Sequence, residues 1–287
     1  MFVALDVGGS SIKSGCVRTS AESGELGGVG EVMTEPLDHT SDCATIVNVF
    51  VAAIAAVYPP DTTANDALDT IERIAIAIPD PFDLDQGVSL MQHKFAALYG
   101  FRLGDLITRT LADQRHPAAT APFSWCNDAA AAVAGEAASG AGRGCQRVFG
   151  ITLGTGLGAA FIVDGQVVER VADYSIPGTY LLSTMDGRTA DDALSARAYV
   201  ERASSGGTPA EFGADLGKFI APIVTAIGAD IVVVGGGGLA SFDRFATAMR
   251  AQLSVPVLPA QLDRWAPLIG AVALSKRRSV RPQGLEP

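Results

Sequence analysis

Short apolar runs recur along the chain, and most of them end at a polar or glycine-rich turn. Runs of this kind, bounded by turn residues, are typical of buried strands. The predicted strands cover residues 2–5, 12–17, 71–79, 123–126, 148–153, 161–163, 166–168 and 232–234. The pattern therefore predicts many short strands whose ends carry the polar residues.

Helical periodicity separates several of these strands. Residues 41–58 have continuous helical character, with Ser41 or Asp42 as the N-cap. Residues 103–113 predict a second, amphipathic helix, and an alanine-rich helix follows Asp128. Because strands and helices alternate, we expect an α/β fold with a mixed sheet covered by helices.

Composition limits the class of protein. With 287 residues, 48% of them hydrophobic, the chain can bury a large core and is long enough for two domains. A net charge of -10 argues against partners such as nucleic acid or an anionic membrane surface, since either would repel the chain. The sequence has no apolar run of 18 residues and no signal peptide before its first strand. We expect a cytoplasmic, globular protein.

The cysteines predict neither disulfides nor a zinc site. Cys16, Cys43, Cys126 and Cys145 are scattered and show no CxC or CxxC spacing. Such cysteines are typical of free thiols in a reducing cytoplasm. This agrees with the cytoplasmic expectation.

The first glycine-rich turn, Gly8-Gly9-Ser10-Ser11, is a candidate for phosphate binding. Glycines let a ligand approach the backbone closely, the serines add hydroxyls, and Lys13 adds a point charge suited to phosphate. An ordinary glycine hairpin explains the same residues. The turn lacks the Walker pattern, and the chain returns from it as a strand, which a dinucleotide-binding turn does not do.

Two further glycine runs follow apolar strands. Gly154-Thr155-Gly156 lies between two predicted strands and adds a hydroxyl to a row of unencumbered N–H groups. The run of Gly235, Gly236, Gly237 and Gly238 opens a helix near Ser241, and a helix start of this kind suits the ribose or α-phosphate side of a nucleotide. One glycine loop is weak evidence. Three, each after an apolar strand, favour a nucleotide-binding protein.

Asp128 is the leading candidate for a catalytic residue. A carboxylate just after a strand and at the start of a helix can act as a general base, and it can equally be a helix N-cap. Asn127 beside it offers both a donor and an acceptor, as a sugar hydroxyl requires. The sequence leaves the cap and the base open as alternatives for Asp128.

The loop after residues 71–79 contains further candidates. His93 and Lys94 are polar residues inside an apolar run, so they either face a ligand or form a surface turn. Loops that follow buried strands often hold specificity residues. Asp80, Phe82 and Asp83 are additional candidates in the same loop.

The segments DVGGSSIK, CNDAAAA, AGE, ITLGTGLGAAFIVDG, VVVGGGG and PLIGAVALS, in this order, resemble the ROK family of sugar kinases and repressors. The resemblance covers nearly the whole chain. It implies the two-domain, actin-like ATPase (ribonuclease H-like) fold of the hexokinase, actin and Hsp70 superfamily, with mixed central sheets and an interdomain cleft. Residues 1–128 with a C-terminal helix in 267–287 would form the acceptor and phosphate domain. Residues 129–266 would form the nucleotide-binding domain.

The resemblance also implies an activity and roles for residues. The protein would be an ATP-dependent kinase acting on a primary hydroxyl of a sugar or sugar-like polyol, with Asp128 as general base and Asn127 as a sugar ligand. Mg²⁺ would be bound by Asp6 through water. The phosphate and adenosine loops would comprise Asp6, Gly8, Gly9, Ser10, Ser11, Lys13, Gly154, Thr155, Gly156, Gly235, Gly236, Gly237 and Gly238. By analogy with the family, a homodimer is expected.

Two departures from the family pattern bear on the acceptor. The stretch in place of the family's Glu-x-Gly-His motif is Ala172-Asp173-Tyr174-Ser175, and the family's zinc-binding cysteine motif is missing, so no zinc is expected. Loss of the Glu and His argues against ordinary glucose recognition. Either Asp173 and Ser175 substitute for them, or the acceptor lacks an anomeric centre, as a hydroxymethyl-bearing cyclitol does.

Other functions compete with an ATP-dependent kinase. A catalytically silent sugar-sensing module would also lose sugar-binding residues, and a polyphosphate-dependent glucokinase would use another donor. A repressor would carry a DNA-binding helix-turn-helix ahead of the kinase-like part, whereas this chain begins at its first strand. Intact phosphate loops and Asp128 favour the kinase.

Overall fold

The computed structural model describes most of the chain, namely residues 1–19, 26–59, 70–171, 174–175, 184–185 and 187–277. The chain divides into two compact units. The first comprises Met1–Ala131 and the chain from Pro267 onwards, and the second comprises Ala132–Ala266. That these units coincide with independently folding domains stays a prediction.

The first unit is built on a mixed sheet in the order β3-β2-β1-β5-β8, with β4 beside β2. Its strands are β1 (Phe2–Val7), β2 (Ser11–Thr19), β3 (Leu26–Val29), β4 (Met33–Pro36), β5 (Arg73–Ile78), the short pair β6 (Phe82–Asp83) and β7 (Val88–Ser89), and β8 (Phe123–Asn127). β1 is antiparallel to β2 and parallel to β5, and β5 is parallel to β8. The ends of β1, β5 and β8 therefore meet at one edge of the sheet.

Helices cover both faces of this sheet. They are α1 (Cys43–Val57), α2 (Leu103–Asp113) and α3 (Asp128–Ser139), with short 3₁₀ helices at Ala96–Leu98 and Pro117–Thr120. Asp42 caps α1 by accepting a hydrogen bond from the N–H of Thr45, so of the two predicted N-caps Asp42 is the one used. The side chains of α1 and α2 pack with those of β1 and β5 in the main core of the unit.

The second unit contains a mixed sheet in the order β11-β10-β9-β16-β17. Its strands are β9 (Arg147–Leu153), β10 (Leu157–Val163), β11 (Gln166–Val167), the short strands β12 (Arg170–Val171), β13 (Tyr174–Ser175), β14 (Thr184–Met185) and β15 (Arg188–Thr189), β16 (Ile231–Gly235) and β17 (Val257–Pro259). β9 is parallel to β16 and antiparallel to β10. β10 and β11 are joined by a turn at Asp164-Gly165, and both residues have positive φ, as a tight two-residue hairpin requires.

The helices of the second unit are α4 (Ala190–Leu194), α5 (Ala196–Ser204), α6 (Pro209–Ile227) and α7 (Phe242–Arg250), with 3₁₀ helices at Gly237–Ser241 and Asp263–Trp265. A final helix, α8 (Ala266–Arg277), begins where this unit ends. Its residues Leu268, Ala271 and Val272 pack with Phe2 and Ala75 on the sheet face opposite the main core of the first unit. Within the described part of the chain, no helix combines the length and the apolar character needed to cross a membrane.

Helix α6 was not predicted from the sequence, although its ends carry clear signals. Thr208 and Glu211 form a reciprocal capping box, and Pro209 occupies the first turn. The helix ends at Gly228, whose φ of 60° is the left-handed conformation typical of a glycine after a helix. Phe212 then packs edge-on against Phe245 of α7, with ring centroids 5.4 Å apart.

His116 makes the stability of the first unit depend on pH. Its side chain is buried and its Nδ1 accepts the N–H of Ala118, which caps the 3₁₀ helix Pro117–Thr120. Burial lowers the pKa of His116, and a backbone contact with Tyr58 opposes this only in part. The unfolded chain therefore takes up this proton at a higher pH than the folded protein. Stability is lost as the pH falls through the ordinary histidine pKa of about 6.5.

We expect His116→Asn to reduce the loss of stability in acid, because asparagine can still cap the 3₁₀ helix but does not titrate. The measurement is the midpoint of thermal unfolding at pH 7.5 and at pH 5.5. The fall in the midpoint from pH 7.5 to pH 5.5 should be a few degrees smaller in the variant than in the wild type. This difference corresponds to a free energy of unfolding on the order of 1 kcal/mol. An equal drop in both proteins would contradict the role given to His116.

Candidate active site

The site in the first unit lies at the edge where β1, β5 and β8 end. Asp6 is the penultimate residue of β1, and Asn127 is the last residue of β8, with Asp128 beginning α3. The register pairs Asp6 with Ala77 and Ile78 with Asn127. Ligands of α/β proteins bind outside the carboxyl ends of such strands.

Asp128 is held in an environment that favours its neutral form. Burial is the largest effect and raises the pKa of Asp128, and the negative charges of Asp6 and Asp80 raise it further. The N–H of Ala129, which donates to Asp128 Oδ1 at 2.8 Å, and the charge of Lys94 act in the opposite direction. A carboxylate with a raised pKa is a stronger proton acceptor, which is the property a general base needs.

The helix cap is supplied by Asn127. Its Oδ1 accepts the N–H of Ala130 at 3.0 Å, which satisfies one of the unpaired donors at the start of α3. Its Nδ2 donates to Asp80 Oδ2 at 2.7 Å. Asn127 thus has two protein partners, and Asp128 is not needed as the N-cap.

Asp6 and Lys13 form an ion pair across the β1–β2 hairpin. Their residues are opposite one another in the register, and Lys13 Nζ lies 3.3 Å from Asp6 Oδ2. Burial raises the pKa of Asp6, while the charge and the hydrogen bond of Lys13 lower it. The side chain of Lys13 is 37% exposed, so its ammonium group can also reach a ligand at the same edge.

The first glycine turn is closed by a hydrogen bond from the N–H of Gly8 to the carbonyl of Ser11 at 2.9 Å. Neither Gly8 nor Gly9 has a positive φ, so a left-handed conformation is not the reason for glycine here. A Cβ at Gly9 would meet no atom within 4 Å. The glycine leaves open space above the backbone, where a phosphate can approach.

The second glycine turn joins β9 to β10, and two of its N–H groups already have partners. The N–H of Gly154 donates to the carbonyl of Gly156 at 2.9 Å, and that of Leu157 donates to Asp191 Oδ1 at 2.5 Å. The N–H groups of Thr155 and Gly156 point to no partner among the described hydrogen bonds. A phosphate bound here would therefore be met by these two donors.

The third glycine run packs on the base of the second turn. Gly235 is still part of β16 and pairs with Thr152, so the strand extends one residue further than predicted. Gly236 has a φ of 86°, and a Cβ there would lie 2.6 Å from the carbonyl oxygen of Leu153, the last residue of β9. The 3₁₀ helix Gly237–Ser241 and α7 follow. The parallel strands β9 and β16 thus place both glycine runs at one edge of the second sheet.

Three predicted acceptor residues are not brought to Asp128 by any described contact. His93 is exposed, whereas Lys94 in the same loop is half-buried and its charge acts on Asp128. Asp173 lies outside the described residues. Ser175 belongs to β13 and pairs with Arg170, and these contacts do not link it to the site.

The surroundings of Asp6 decide whether a magnesium ion fits this edge of the sheet. Among the described residues, no group of three or more His, Cys, Asp or Glu side chains could hold a metal. Asp6 offers one carboxylate beside the open glycine turn. Such a site fits Mg²⁺, because this ion usually keeps several waters and binds one or two carboxylates plus phosphate oxygens.

Two carboxylates with clear structural roles were not predicted from the sequence. Asp191 near the start of α4 holds the second glycine turn, since its Oδ1 also lies 2.8 Å from the position of a Cβ on Gly156. Glu136 in α3 is 2% exposed and accepts backbone N–H groups of Ala141, Gln261 and Leu262. Glu136 falls within the AGE segment of the family resemblance, whereas no predicted motif lies beside Asp191.

The two mixed sheets, with glycine turns and carboxylates at their strand ends, define a protein of the actin-like ATPase fold. A model of the ROK family matches residues 3–171, more than half of the sequence. The chain belongs to the ROK family. Among curated proteins, no relative matches the sequence.

Solved structures of the family match over almost the whole chain. An inorganic polyphosphate/ATP-glucomannokinase from Arthrobacter sp. strain KM is 25% identical, with a TM-score of 0.70 over 97% of this chain and 99% of that one. A ROK family glucokinase from Streptomyces griseus, in complex with glucose and AMPPNP, is 20% identical, with a TM-score of 0.70 over 96% and 99%. A ROK family transcriptional regulator, a homolog of the E. coli MLC protein, is 16% identical, with a TM-score of 0.72 over 96% of this chain and 77% of that one.

Proposed function

We propose that the protein is a kinase that transfers the γ-phosphate of ATP to a primary hydroxyl of a sugar or sugar-like polyol. The observation that carries this proposal is Asp128, a carboxylate at the end of β8 whose pKa is raised by burial. Asn127 and Lys94 stand beside it, and Asn127 already caps the helix through the N–H of Ala130. Its similarity to an ATP-using glucomannokinase supports the same reaction.

In the proposed reaction Asp128 accepts the proton of the acceptor hydroxyl as the hydroxyl oxygen attacks the γ-phosphorus. The bond from that phosphorus to the bridging oxygen breaks, and ADP leaves with the electron pair. Phosphoryl transfer passes through a loose transition state, so the protein contributes mainly position and charge. In the first unit the ammonium group of Lys13 is the donor proposed for phosphate. In the second unit the N–H groups of Thr155 and Gly156 are the proposed phosphate donors.

Mg²⁺ would be held by Asp6 through water, together with phosphate oxygens of the nucleotide. When bound, the ion neutralises phosphate charge. Asp6 itself is positioned for this by Lys13, which stabilises its ionised form against the effect of burial.

The acceptor class follows from the residues that are retained and those that are replaced. Asn127 and Asp128 keep the end of the site that meets the reacting hydroxyl, whereas Ala172 and Ser175 stand in place of the family's Glu and His. We therefore include cyclitols with a hydroxymethyl group beside hexoses as proposed acceptors. Whether Asp173 substitutes for the missing carboxylate is part of this proposal.

The test is ADP release with ATP and Mg²⁺ over hexoses, N-acetylhexosamines and hydroxymethyl cyclitols. Acceptor-dependent turnover would support the kinase and identify its substrate class, and glucose as clearly the best acceptor would reject the cyclitol. Inorganic polyphosphate is included as an alternative donor because the glucomannokinase uses it.

A non-catalytic sugar sensor is the second candidate, since the similar structures include a regulator. Sugar binding without turnover would favour that sensor.

Asp191→Ala is expected to weaken nucleotide binding, because the N–H of Leu157 loses its partner and the second glycine turn loosens. We expect the KM for ATP to rise about fivefold, corresponding to a hydrogen bond worth about 1 kcal/mol, with little change in the KM for the acceptor. Asp191→Asn keeps an accepting oxygen and should remain near wild type. Asp192→Asn is the neighbouring control, since Asp192 bonds Thr189 and Arg197 instead of the turn. If Asp191→Ala and Asp191→Asn had the same KM for ATP, this role of Asp191 would be wrong.

A further inference from the structure

Asp80 connects the end of β5 to the end of β8, the strand that leads into Asp128. It lies just beyond β5, and its Oδ2 accepts the Nδ2–H of Asn127 at 2.7 Å across 47 positions of sequence. The parallel register that pairs Ile78 with Asn127 holds the two strand ends side by side. Asp80 is exposed, and the register of the two strands holds it beside Asn127.

The two bonds of Asn127 fix the orientation of its side-chain amide. The oxygen faces a donor, the N–H of Ala130, and the nitrogen faces an acceptor, the carboxylate of Asp80. Only one of the two amide orientations satisfies both partners. The second N–H of the amide remains to meet a hydroxyl of an acceptor.

The charges at this edge also restrict what can bind. Asp128 is faced by Asp6 from β1, by Asp80 from the end of β5, and by Lys94 from the loop after β7. Lys13 is paired with Asp6. Carboxylates accept hydrogen bonds and repel anions. An acceptor that donates several hydroxyl protons suits this edge, and one with a carboxylate or phosphate near the reacting hydroxyl does not.

We propose that Asp80 is a positioning residue for the acceptor, which orients the Asn127 amide and selects neutral or amino-bearing polyols over anionic ones. This inference rests on the proposed kinase function and specifies the substrate class of the same site. Asp80 acts through Asn127, so its removal should weaken acceptor binding more than it slows the chemical step. Its hydrogen bond goes to Asn127, a residue proposed for the acceptor, so nucleotide binding should change much less than acceptor binding.

Two substitutions separate the hydrogen bond from the charge of Asp80. In Asp80→Ala the amide loses its partner, and the acceptor KM should rise about 10-fold or more with the KM for ATP unchanged. In Asp80→Asn an accepting oxygen remains, so the acceptor KM should recover to within about threefold of wild type. The lost negative charge should move the acid limb of kcat/KM to lower pH, because that charge raises the pKa of Asp128. Asp85→Asn removes one exposed carboxylate from the same loop and should change neither quantity.

The selectivity half of the proposal is tested with sugar acids and amino sugars matched to the best neutral acceptor. Asp80→Asn should narrow the preference for the neutral compound over its acidic counterpart, whereas Asp85→Asn should not. If Asp80→Ala leaves the acceptor KM unchanged, or if Asp80→Asn alters neither the acid limb nor the selectivity, the proposal is wrong.

A measurement without any acceptor distinguishes this inference from the proposed function. In urea unfolding, Asp80→Ala and Asn127→Ala should be non-additive, because each removes the same hydrogen bond. If the wild type shows no turnover with any acceptor, the kinase proposal fails. In that event a non-additive cycle still supports the orienting contact, while an additive cycle overturns it.

Discussion

Asp128→Asn is expected to lower kcat by about 10²–10⁴-fold, the usual contribution of a general base. The amide has the shape of the carboxylate but cannot accept the hydroxyl proton. It can still accept the N–H of Ala129, so the start of α3 should be preserved. The KM values for ATP and for the acceptor should change little, because the substitution removes an interaction that is made mainly in the transition state. The measurement is steady-state ADP release at saturating ATP, Mg²⁺ and acceptor.

The same substitution should leave the protein at least as stable as the wild type. The folded pKa of Asp128 is raised, so the folded state holds this proton to a higher pH than the unfolded chain does. Stability is therefore lost as the pH rises from about 3.9, the ordinary aspartate pKa, through the folded value. At neutral pH the ionised carboxylate is a cost that asparagine removes, and unfolding should occur at the same temperature or up to about 4 °C higher.

Asp105→Asn on the exposed start of α2 is the matched control, since it removes one negative charge that is not among those acting on Asp128. It should keep wild-type turnover and stability. Near-normal turnover of Asp128→Asn would remove Asp128 from the role of base. A strongly destabilised variant would mean that its carboxylate serves the fold.

The acid limb of the wild-type pH profile provides a second check on the base. Because the pKa of Asp128 is raised, kcat/KM should begin to fall at a pH above the ordinary aspartate range. Below that point it should fall about tenfold per pH unit, since only the ionised carboxylate accepts the proton. An acid limb in the ordinary aspartate range would contradict the buried environment assigned to Asp128.

Local patterns were sufficient for the buried apolar strands and for the helices with a clear period, but not for β3, β4 or β17. The apolar runs became β1, β2, β5, β8, β9 and β16, and the amphipathic stretch became α2 with the predicted bounds Leu103–Asp113. The apolar runs reflect strands buried on both faces, and the period of α2 reflects one buried face, so both are encoded in neighbouring residues. The fold class followed from the order of these elements and from the family resemblance.

The contacts that define the site could not be read in the same way. Asn127 and Asp128 are both good helix caps, and which of them caps depends on the backbone geometry at the start of α3. The bond from Asp80 to Asn127 depends on the register of β5 against β8. Sequence spacing does not determine a register. The ion pair of Lys13 with Asp6 follows from the hairpin register. Whether the ammonium group of Lys13 binds Asp6 or a phosphate does not follow from it.

Glu136 shows how a motif residue can serve the fold and not the reaction. Its carboxylate accepts N–H groups from two segments of the second unit. Oε1 binds those of Gln261 at 3.0 Å and Leu262 at 2.7 Å, and Oε2 binds that of Ala141 at 2.8 Å. Gln261 and Leu262 lie 125 and 126 positions away in the sequence. One buried side chain thus satisfies the backbone at the end of α3 and before α8, where no helix or strand provides partners.

We expect Glu136→Ala to be strongly destabilising, by about 3–5 kcal/mol, because it removes the acceptor shared by three partly buried backbone N–H groups. For a protein of this size that corresponds to a drop in the unfolding temperature of roughly 10 °C or more. The stability of Glu136→Gln should lie between that of Glu136→Ala and that of the wild type. Its single oxygen can still accept the N–H groups of Gln261 and Leu262, while its NH₂ group faces the N–H of Ala141.

The control is Glu201→Ala, which truncates an exposed glutamate in α5 whose ion pairs with Arg188 and Arg197 are long and solvent-exposed. Exposed pairs of this kind contribute about 0–1 kcal/mol, so this variant should unfold close to the wild type. At a temperature where Glu136→Gln remains folded, its kcat per folded molecule should equal that of the wild type, because Glu136 accepts bonds only from backbone in the second unit. A loss of kcat without a loss of stability would instead place Glu136 in the chemistry.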